Sequence, residues 1–303
     1  MSESLVSVVL PTCNGAATLP AFLDALGRQR VGFRFELVVV DSSSTDGTDR
    51  IVKPHADRFV SIPAGTFNHG ETRNVAIEQA RGDLIVLTVQ DALPASDAWL
   101  DALTAPLRRD PALAGVFARQ IPRPEATSLM RRHLERWAGA SDTPRTMSVG
   151  SAREFEALPP ADRLARCTFD NVCSCIRRSV WLAHKFRPTP IAEDLEWARD
   201  VLLAGHRLAY VPSAAVVHSH ERSIGYEFSR TWLLHRRLYE LFGLRTIPSV
   251  TALARAIAST LPAHLRSDMT VRAAALAVAW PLGQYLGARS AVRGSAPLRA
   301  RRI

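Results

Sequence analysis

Cysteine is scarce: four in 303 residues, two of them the closely spaced Cys173 and Cys175, with no C-x-x-C pair. That supply suits neither a disulfide framework nor a usual zinc pattern, so reduced thiols are expected. Long apolar runs are lacking too. The most apolar stretch, AAALAVAWPLGQYLGA near the C-terminus, is interrupted by Pro281 and Gln284 and falls short of the roughly 18 apolar residues of a spanning helix. The start, Met-Ser-Glu-Ser, carries an acid where a secretory leader carries basic residues, and the run Leu5–Leu10 is too short for its apolar core, which predicts a cytoplasmic location. Neither G-x-x-x-x-G-K nor G-x-G-x-x-G occurs, which weakens simple NTPase and dehydrogenase readings.

What is present suits a large folded core: 47% hydrophobic residues and 22% charged ones. The balance of 38 Lys and Arg against 29 Asp and Glu leaves a charge of +9, which favours anionic partners. Continuous Val- and Ile-rich runs recur at LVSVVLP, FELVVVDS, FVSIPAG, DLIVLTVQDA and AGVFARQ, as parallel strands covered on both faces do. Between them lie helical patterns: Leu19, Phe22, Leu23 and Leu26, then Val75, Ile77 and Ala80. The alternation predicts an α/β fold, a mostly parallel sheet flanked by helices. Such a sheet binds its ligand beyond the carboxyl ends of its strands, here 11–15, 41–46, 67–74 and 90–94.

From Pro122 to Arg166 the pattern breaks into short pieces, longer than a plain loop and suggestive of a functional excursion. Order returns with a strand in CTFDNVCSCIRR, a helix around Trp181, a helix from Asp194 to Ala204 stopped by Gly205, and a strand in LAYVPSAAVVHSH. Beyond them arginine-rich helical patterns are joined by Pro248 and Pro262 and followed by a solvated ending, RSAVRGSAPLRARRI. The organisation expected is a catalytic domain over 1–220 and a basic helical region over 221–303.

The strand ends carry acids, amides and basic groups that suit a base, a diphosphate and a divalent cation. Asp41 ends the second run, where a carboxylate can accept a pyrimidine imide N–H, while DSSSTDGT offers helix caps; a capped turn with nothing bound is the competing reading. Gly70 opens a helix whose free N–H groups, with Arg73 nearby, suit a phosphate oxygen, against an Arg73 paired to a core carboxylate. Asp194 begins a helix, where the dipole keeps a carboxylate ionised; an acid that only caps the helix is the competing reading.

In their order, VSVVLPTCNG, ELVVVDSSSTDGT, FNHGETRN, GDLIVLTVQDALP, EDLEW and VVHSH make the chain resemble family 2 glycosyltransferases of GT-A fold over about its first 220 residues. FNHGETRN followed by TVQDALP is similar to the bacterial rhamnosyltransferase branch, whose donors are typically dTDP-β-L-rhamnose. The resemblance implies an inverting transfer to a glycan or lipid-linked glycan in surface polysaccharide assembly. It implies Pro11, Thr12, Asn14 and Asp41 around the nucleoside and Arg73 and Asn74 at the diphosphate. His69, Gln90 and Glu193 are implied further donor-site contacts, and Asp194 the base that deprotonates the acceptor hydroxyl. The family's D-x-D motif falls on Val89, Gln90 and Asp91, so its first acid is absent; Asp91 and His218 remain as implied ligands of a divalent cation, Mn2+ or Mg2+. His220 projects to the same side as His218. Asn171 has either an acceptor contact or a turn role, and Trp99, Trp181 and Trp197 fall in helical patterns where core packing is expected.

The basic tail, with Arg255, Arg266, Arg272, Arg289 and Arg293, has two readings: contact with an anionic leaflet, or helices packed on the catalytic domain. A transferase-like scaffold without activity is opposed by retention of Asp91 and Asp194. Nucleic-acid binding rests on charge alone and is not expected.

Overall fold

The structure, a computed structural model, describes residues 5–294. Its sheet is built from β1 (Val6–Thr12), β2 (Phe35–Asp41), β3 (Arg58–Ser61), β4 (Leu84–Thr88), β5 (Leu93–Pro94), β6 (Leu113–Ile121), β7 (Arg145–Met147), β8 (Cys173–Arg177) and β9 (Arg207–Val217). The strand order is β3-β2-β1-β4-β8-β6-β9-β5, with β7 also paired to β9. All five Val- and Ile-rich runs form strands that share one direction. They are not one uninterrupted parallel set, because β8 enters antiparallel between β4 and β6. The short strands β5 and β7 carry no run that the sequence pattern singles out.

Continuous burial along these strands has a period-two explanation. Val9, Val38, Val40, Ile85 and Leu87 point into one core, while Val8, Leu10, Leu37, Val39 and Val86 point into the other. The first core is closed by Ala76 and Ile77 of the helix His69–Gln79 and by Trp197, Ala198 and Val201 of the helix Glu193–Leu203. The second is closed by Leu19, Phe22, Leu23 and Leu26 and by the helix Trp99–Arg109. The three tryptophans are core residues: Trp99, Trp181 and Trp197 donate their indole N–H groups to Cys173 Sγ, Asn74 Oδ1 and the His184 carbonyl. All four cysteines are free.

The 122–166 excursion holds the helices Ser128–Glu135, Ala152–Ala157 and Pro160–Arg166 together with β7. Beyond β9 come three helices, Ile224–Phe242, Val250–Ser267 and Val271–Val292. Leu238, Leu241 and Phe242 join the same core as Trp197 and Tyr210, so the first helix of the C-terminal region shares the core of the sheet domain. The third lies closely along it: a Cβ at Gly287 would stand 2.2 Å from the Trp232 carbonyl oxygen. Trp280 donates to the buried Glu227 at 3.1 Å across the same contact.

Two expectations fail here. Pro262 lies inside the helix Val250–Ser267 instead of joining two helices, and Pro281 is buried within Val271–Val292. Residues 289–292, expected in a solvated ending, continue that helix and 293–294 form a turn after it; residues 295–303 of the ending and the acidic start, 1–4, lie outside the described residues. No helix among the described residues is long and apolar enough to cross a membrane.

Candidate active site

The register of β1 against β2 sets Thr12 beside Asp41, at the carboxyl ends of both strands. Thr12 Oγ1 donates to Asp41 Oδ1 at 2.8 Å; the Ser44 hydroxyl donates to the same oxygen at 2.6 Å, and the Ser44 N–H to Oδ2 at 2.9 Å. Asp41 is buried, and these three donors leave one acceptor position on Oδ2. Asn14, at φ 49°, accepts from the Thr45 N–H at 2.9 Å, while its own N–H donates to Ser44 Oγ at 2.8 Å. Pro11, Thr12, Asn14 and Asp41 are therefore brought together at the carboxyl ends of β1 and β2. Gln90 joins them: its amide exchanges two hydrogen bonds, 2.9 and 3.0 Å, with the backbone of Cys13.

Next to Gln90, Asp91 faces two imidazoles from the end of β9. His220 Nε2 lies 3.2 Å from Asp91 Oδ2 and His218 Nε2 lies 3.6 Å from Oδ1. The three donor atoms fall within 4.8 Å of one another. Burial pushes His218 down to about 4 and also lowers His220; Asp91 opposes both shifts, while Arg123 and Arg230 add to them. Both rings are thus neutral at pH 7 and carry a lone pair. The His218 ring is held at its far side, Nδ1 lying 2.8 Å from Gln120 Oε1, and Gln120 donates in turn to the buried Asp170. Val89, in the place of the missing acid, packs against the second core.

Asp170 begins a cluster of three carboxylates. Burial, reinforced by Glu193, raises it to about 6. Burial, with Glu193 and Asp170 adding like charge, raises Asp194 well above the ordinary carboxylate value. Asp194 accepts from the Leu195 N–H at 2.8 Å and, at the limit of hydrogen bonding, from the Asn171 N–H at 3.5 Å. Glu193 goes the other way: burial raises it, but Arg73 and His69 outweigh that and hold it below its usual value. The buried Arg73 guanidinium lies 2.9 Å from Glu193 Oε1 and donates to the His69 carbonyl at 3.0 Å and the Asn171 carbonyl at 3.4 Å.

Several expectations change on this geometry. Arg73 is engaged by a core carboxylate, the alternative weighed against a diphosphate contact. Asn74 binds the Phe186 backbone and the Trp181 indole, fastening that segment to its helix, an employment different from the diphosphate contact expected of it. The helix that Gly70 opens does not present free N–H groups, because Asn68 Oδ1 accepts from Gly70 and Glu71 and the Arg187 carbonyl would stand 2.1 Å from a Cβ at Gly70. The dipole does not dominate at Asp194, since desolvation and two neighbouring carboxylates outweigh it. Asn171 is a buried hub, its amide bonded to Glu193 and Ser174. Sequence reasoning missed Gln120, Asp170, Arg123 and Arg230. Asp170 immediately precedes the flagged Asn171 and Gln120 ends a recognised run, but only the sheet order brings them to His218.

A family model described as Glycosyl transferase family 2 matches residues 7–179. The O-antigen chain rhamnosyltransferase WbaN of Salmonella anatum is 30% identical over 228 residues, covering 74% of this chain and 69% of that protein. Among solved structures, the mannosyltransferase PcManGT from Pyrobaculum calidifontis, in complex with GDP-Man and Mn2+, matches with a TM-score of 0.60 and 17% identity, over 98% of this chain and 89% of that one. Glucosyl-3-phosphoglycerate synthase from Mycobacterium tuberculosis, with Mn2+, UDP-glucose and phosphoglyceric acid, matches with a TM-score of 0.56 and 21% identity, over 82% and 81%. The nine-stranded sheet, in which β5, β7 and β8 run against the other six strands, has the GT-A architecture of those structures. The family model covers more than half of the sequence, and the chain belongs to glycosyltransferase family 2 as a glycosyltransferase of GT-A fold.

Proposed function

We propose that the enzyme moves rhamnose from dTDP-β-L-rhamnose to a glycan or lipid-linked glycan acceptor in bacterial surface polysaccharide assembly, working at the inner face of the cell membrane, with inversion at the anomeric carbon. The observation that carries the chemistry is Asp194, a carboxyl made more basic by burial and two acidic neighbours. Hydrogen bonds link its neighbour Asp170 through Gln120 to His218. The likeness to a named rhamnosyltransferase supports the sugar and the pathway.

In this reading the strand-end group of Thr12, Asn14 and Asp41 takes the nucleoside, the free acceptor position of Asp41 receiving the pyrimidine imide N–H. An acceptor hydroxyl gives its proton to Asp194 as its oxygen bonds to the anomeric carbon. The bond from that carbon to the diphosphate breaks, and its electron pair leaves with dTDP. Glu193 and Arg73 act through Asp194 and Asn171: their ion pair fixes the helix start and keeps one negative charge beside the base. The donor set of Asp91, His218 and His220 fits a divalent ion, and two imidazoles beside one carboxylate suit Mn2+ better than Mg2+. Such an ion supplies charge neutralisation at the departing diphosphate. Arg123 and Arg230, the cations that depress His218 and His220, add to the same field.

The test is a donor screen with purified protein: dTDP-rhamnose, UDP-glucose and GDP-mannose, with and without manganese, scored for transfer or hydrolysis. Highest turnover with dTDP-rhamnose is expected, together with stabilisation of the fold by dTDP. Preference for a UDP- or GDP-hexose would overturn the donor assignment and leave the family untouched.

A further inference from the structure

A cleft of about 850 Å3 lies away from the donor site, between the helix Ser128–Glu135 of the excursion and the helices Val250–Ser267 and Val271–Val292. Its chemistry is one-sided. Arg132, Arg136 and Arg266 line it, and no carboxylate does. None of the three arginines has an ion-pair partner among the described residues. Arg132 reaches from one wall to the other, donating to the Ala263 carbonyl at 3.2 Å. Leu129, Ile247, Pro281 and Trp280, whose ring stacks on His133 at 4.4 Å, form its apolar part, and Thr246, Thr260, Ser267 and Gln284 are among the uncharged polar residues that complete it.

The helix that forms one wall is itself unusual. Of the 18 residues in Val250–Ser267 only His264 is buried, although Leu253, Ile257, Leu261 and Leu265 recur every four residues, so an apolar stripe beside the cleft lining is left half covered. The turn that follows carries Met269, 90% exposed, and Val271, 87% exposed, between Arg266 and Arg272. Cations without counterions, apolar side chains in the lining and a bare apolar tip beside it together describe one kind of ligand.

We propose that this cleft is a second binding site, for a phosphate or diphosphate group carried on a long apolar chain, with the arginines taking the phosphate oxygens and Leu129, Ile247 and Trp280 taking the first part of the chain. Its volume suits a head group with a short length of chain, since pockets for drug-sized ligands run from about 300 to 1,000 Å3. Within the transferase reading the occupant is the carrier end of a lipid-linked acceptor; that identification rests on the proposed function, whereas the binding chemistry does not.

The test titrates the full chain with farnesyl diphosphate, below its micelle concentration, by calorimetry. Inorganic diphosphate, farnesol, dTDP and phosphatidylglycerol vesicles are the comparators. Farnesyl diphosphate is expected to bind at least about tenfold more tightly than diphosphate or farnesol, and saturating dTDP should not displace it. The double substitution Arg136→Ala, Arg266→Ala should weaken it by about tenfold or more while leaving dTDP affinity and the melting temperature unchanged. Asp41→Asn should do the reverse, weakening dTDP alone, so that failure of the cleft and failure of the donor assignment give different results. Displacement by dTDP, equal affinity for inorganic diphosphate, or indifference to the arginine substitutions would each overturn the proposal. So would binding to the vesicles alone, which would make the region a general anionic membrane surface.

Discussion

The two sides of the sheet solve different electrostatic problems. On the β3-β2-β1-β4 side the strand ends hold one buried carboxylate, Asp41, satisfied by hydroxyl and backbone donors from Thr12 and Ser44. On the β8-β6-β9 side they hold Asp170, Glu193 and Asp194 with only Arg73 ion-paired among them, and Asp91 faces two neutral imidazoles. Neutral donors fix and orient a group at a strand end, which suits recognition. Crowded buried charges move proton affinities and leave lone pairs open, which suits proton transfer and cation binding. The comparison assigns binding to one side and chemistry to the other, and substitutions can separate them.

The largest effect is expected at Asp194. Asp194→Asn keeps the acceptor for the Leu195 N–H but removes the base, so the transfer rate should fall by roughly 10²–10⁴ with the fold retained, as read by initial rates and a thermal melt. Next comes His218→Ala, or the milder Gln120→Leu, which removes the group that orients His218. The manganese concentration for half-maximal activity should rise by about 10–100-fold for Gln120→Leu, and by more for His218→Ala. Asp41→Asn should act differently again, raising KM for the donor by about tenfold with kcat little changed. A kcat loss at Asp41 as large as that at Asp194 would dissolve the division between the two sides.

The same division explains what could be read from sequence. Runs such as ELVVVDS name a parallel strand and its terminal carboxylate together, because helix and strand periodicities there are set by neighbours within about 40 residues. The motifs at Asp41, Asp91, Asp194 and His218 were equally legible, since each lies at a strand or helix end. The other side depends on sheet order. β8 is a short antiparallel insertion, and Gln120 meets His218 from 98 residues away only because β6 and β9 are paired. No local pattern encodes that pairing, and so the relay through Asp170 stayed hidden. Asn68 was hidden for another reason: a cap and a phosphate cradle both start with exposed N–H groups, and only the bonds made decide between them.

A smaller effect sharpens the picture of the charged side. Asp194 is raised first by burial, then by Glu193 and Asp170, so Asp170→Asn removes one of its two acidic neighbours and should lower its proton affinity. The acid limb of the kcat/KM profile should move to lower pH, while that of Asp41→Asn stays in place. An unmoved limb in Asp170→Asn would mean that burial and Glu193 set the base without Asp170.

The smallest expected effect is on stability, and here the C-terminal helices supply the contrast. His235, on the helix Ile224–Phe242, is pushed down to about 4 by burial, with no opposing acid. The unfolded chain therefore binds a proton between about pH 6.5 and 4 that the folded chain refuses; the contribution is complete above the unfolded value and is lost as pH falls through about 4. His218 behaves alike, also at about 4, but near it Asp170, raised to about 6, has the opposite sign: its contribution is complete below the ordinary carboxylate value and is lost as pH rises through about 6. Between pH 4 and 6 those two site groups oppose each other, whereas His235 acts unopposed. His235→Phe should consequently flatten the fall in melting temperature on acidification from pH 7 to 4, and Gln120→Leu, which disturbs both site groups, should alter that slope less. Equal slopes in wild type and His235→Phe would place the proton uptake elsewhere.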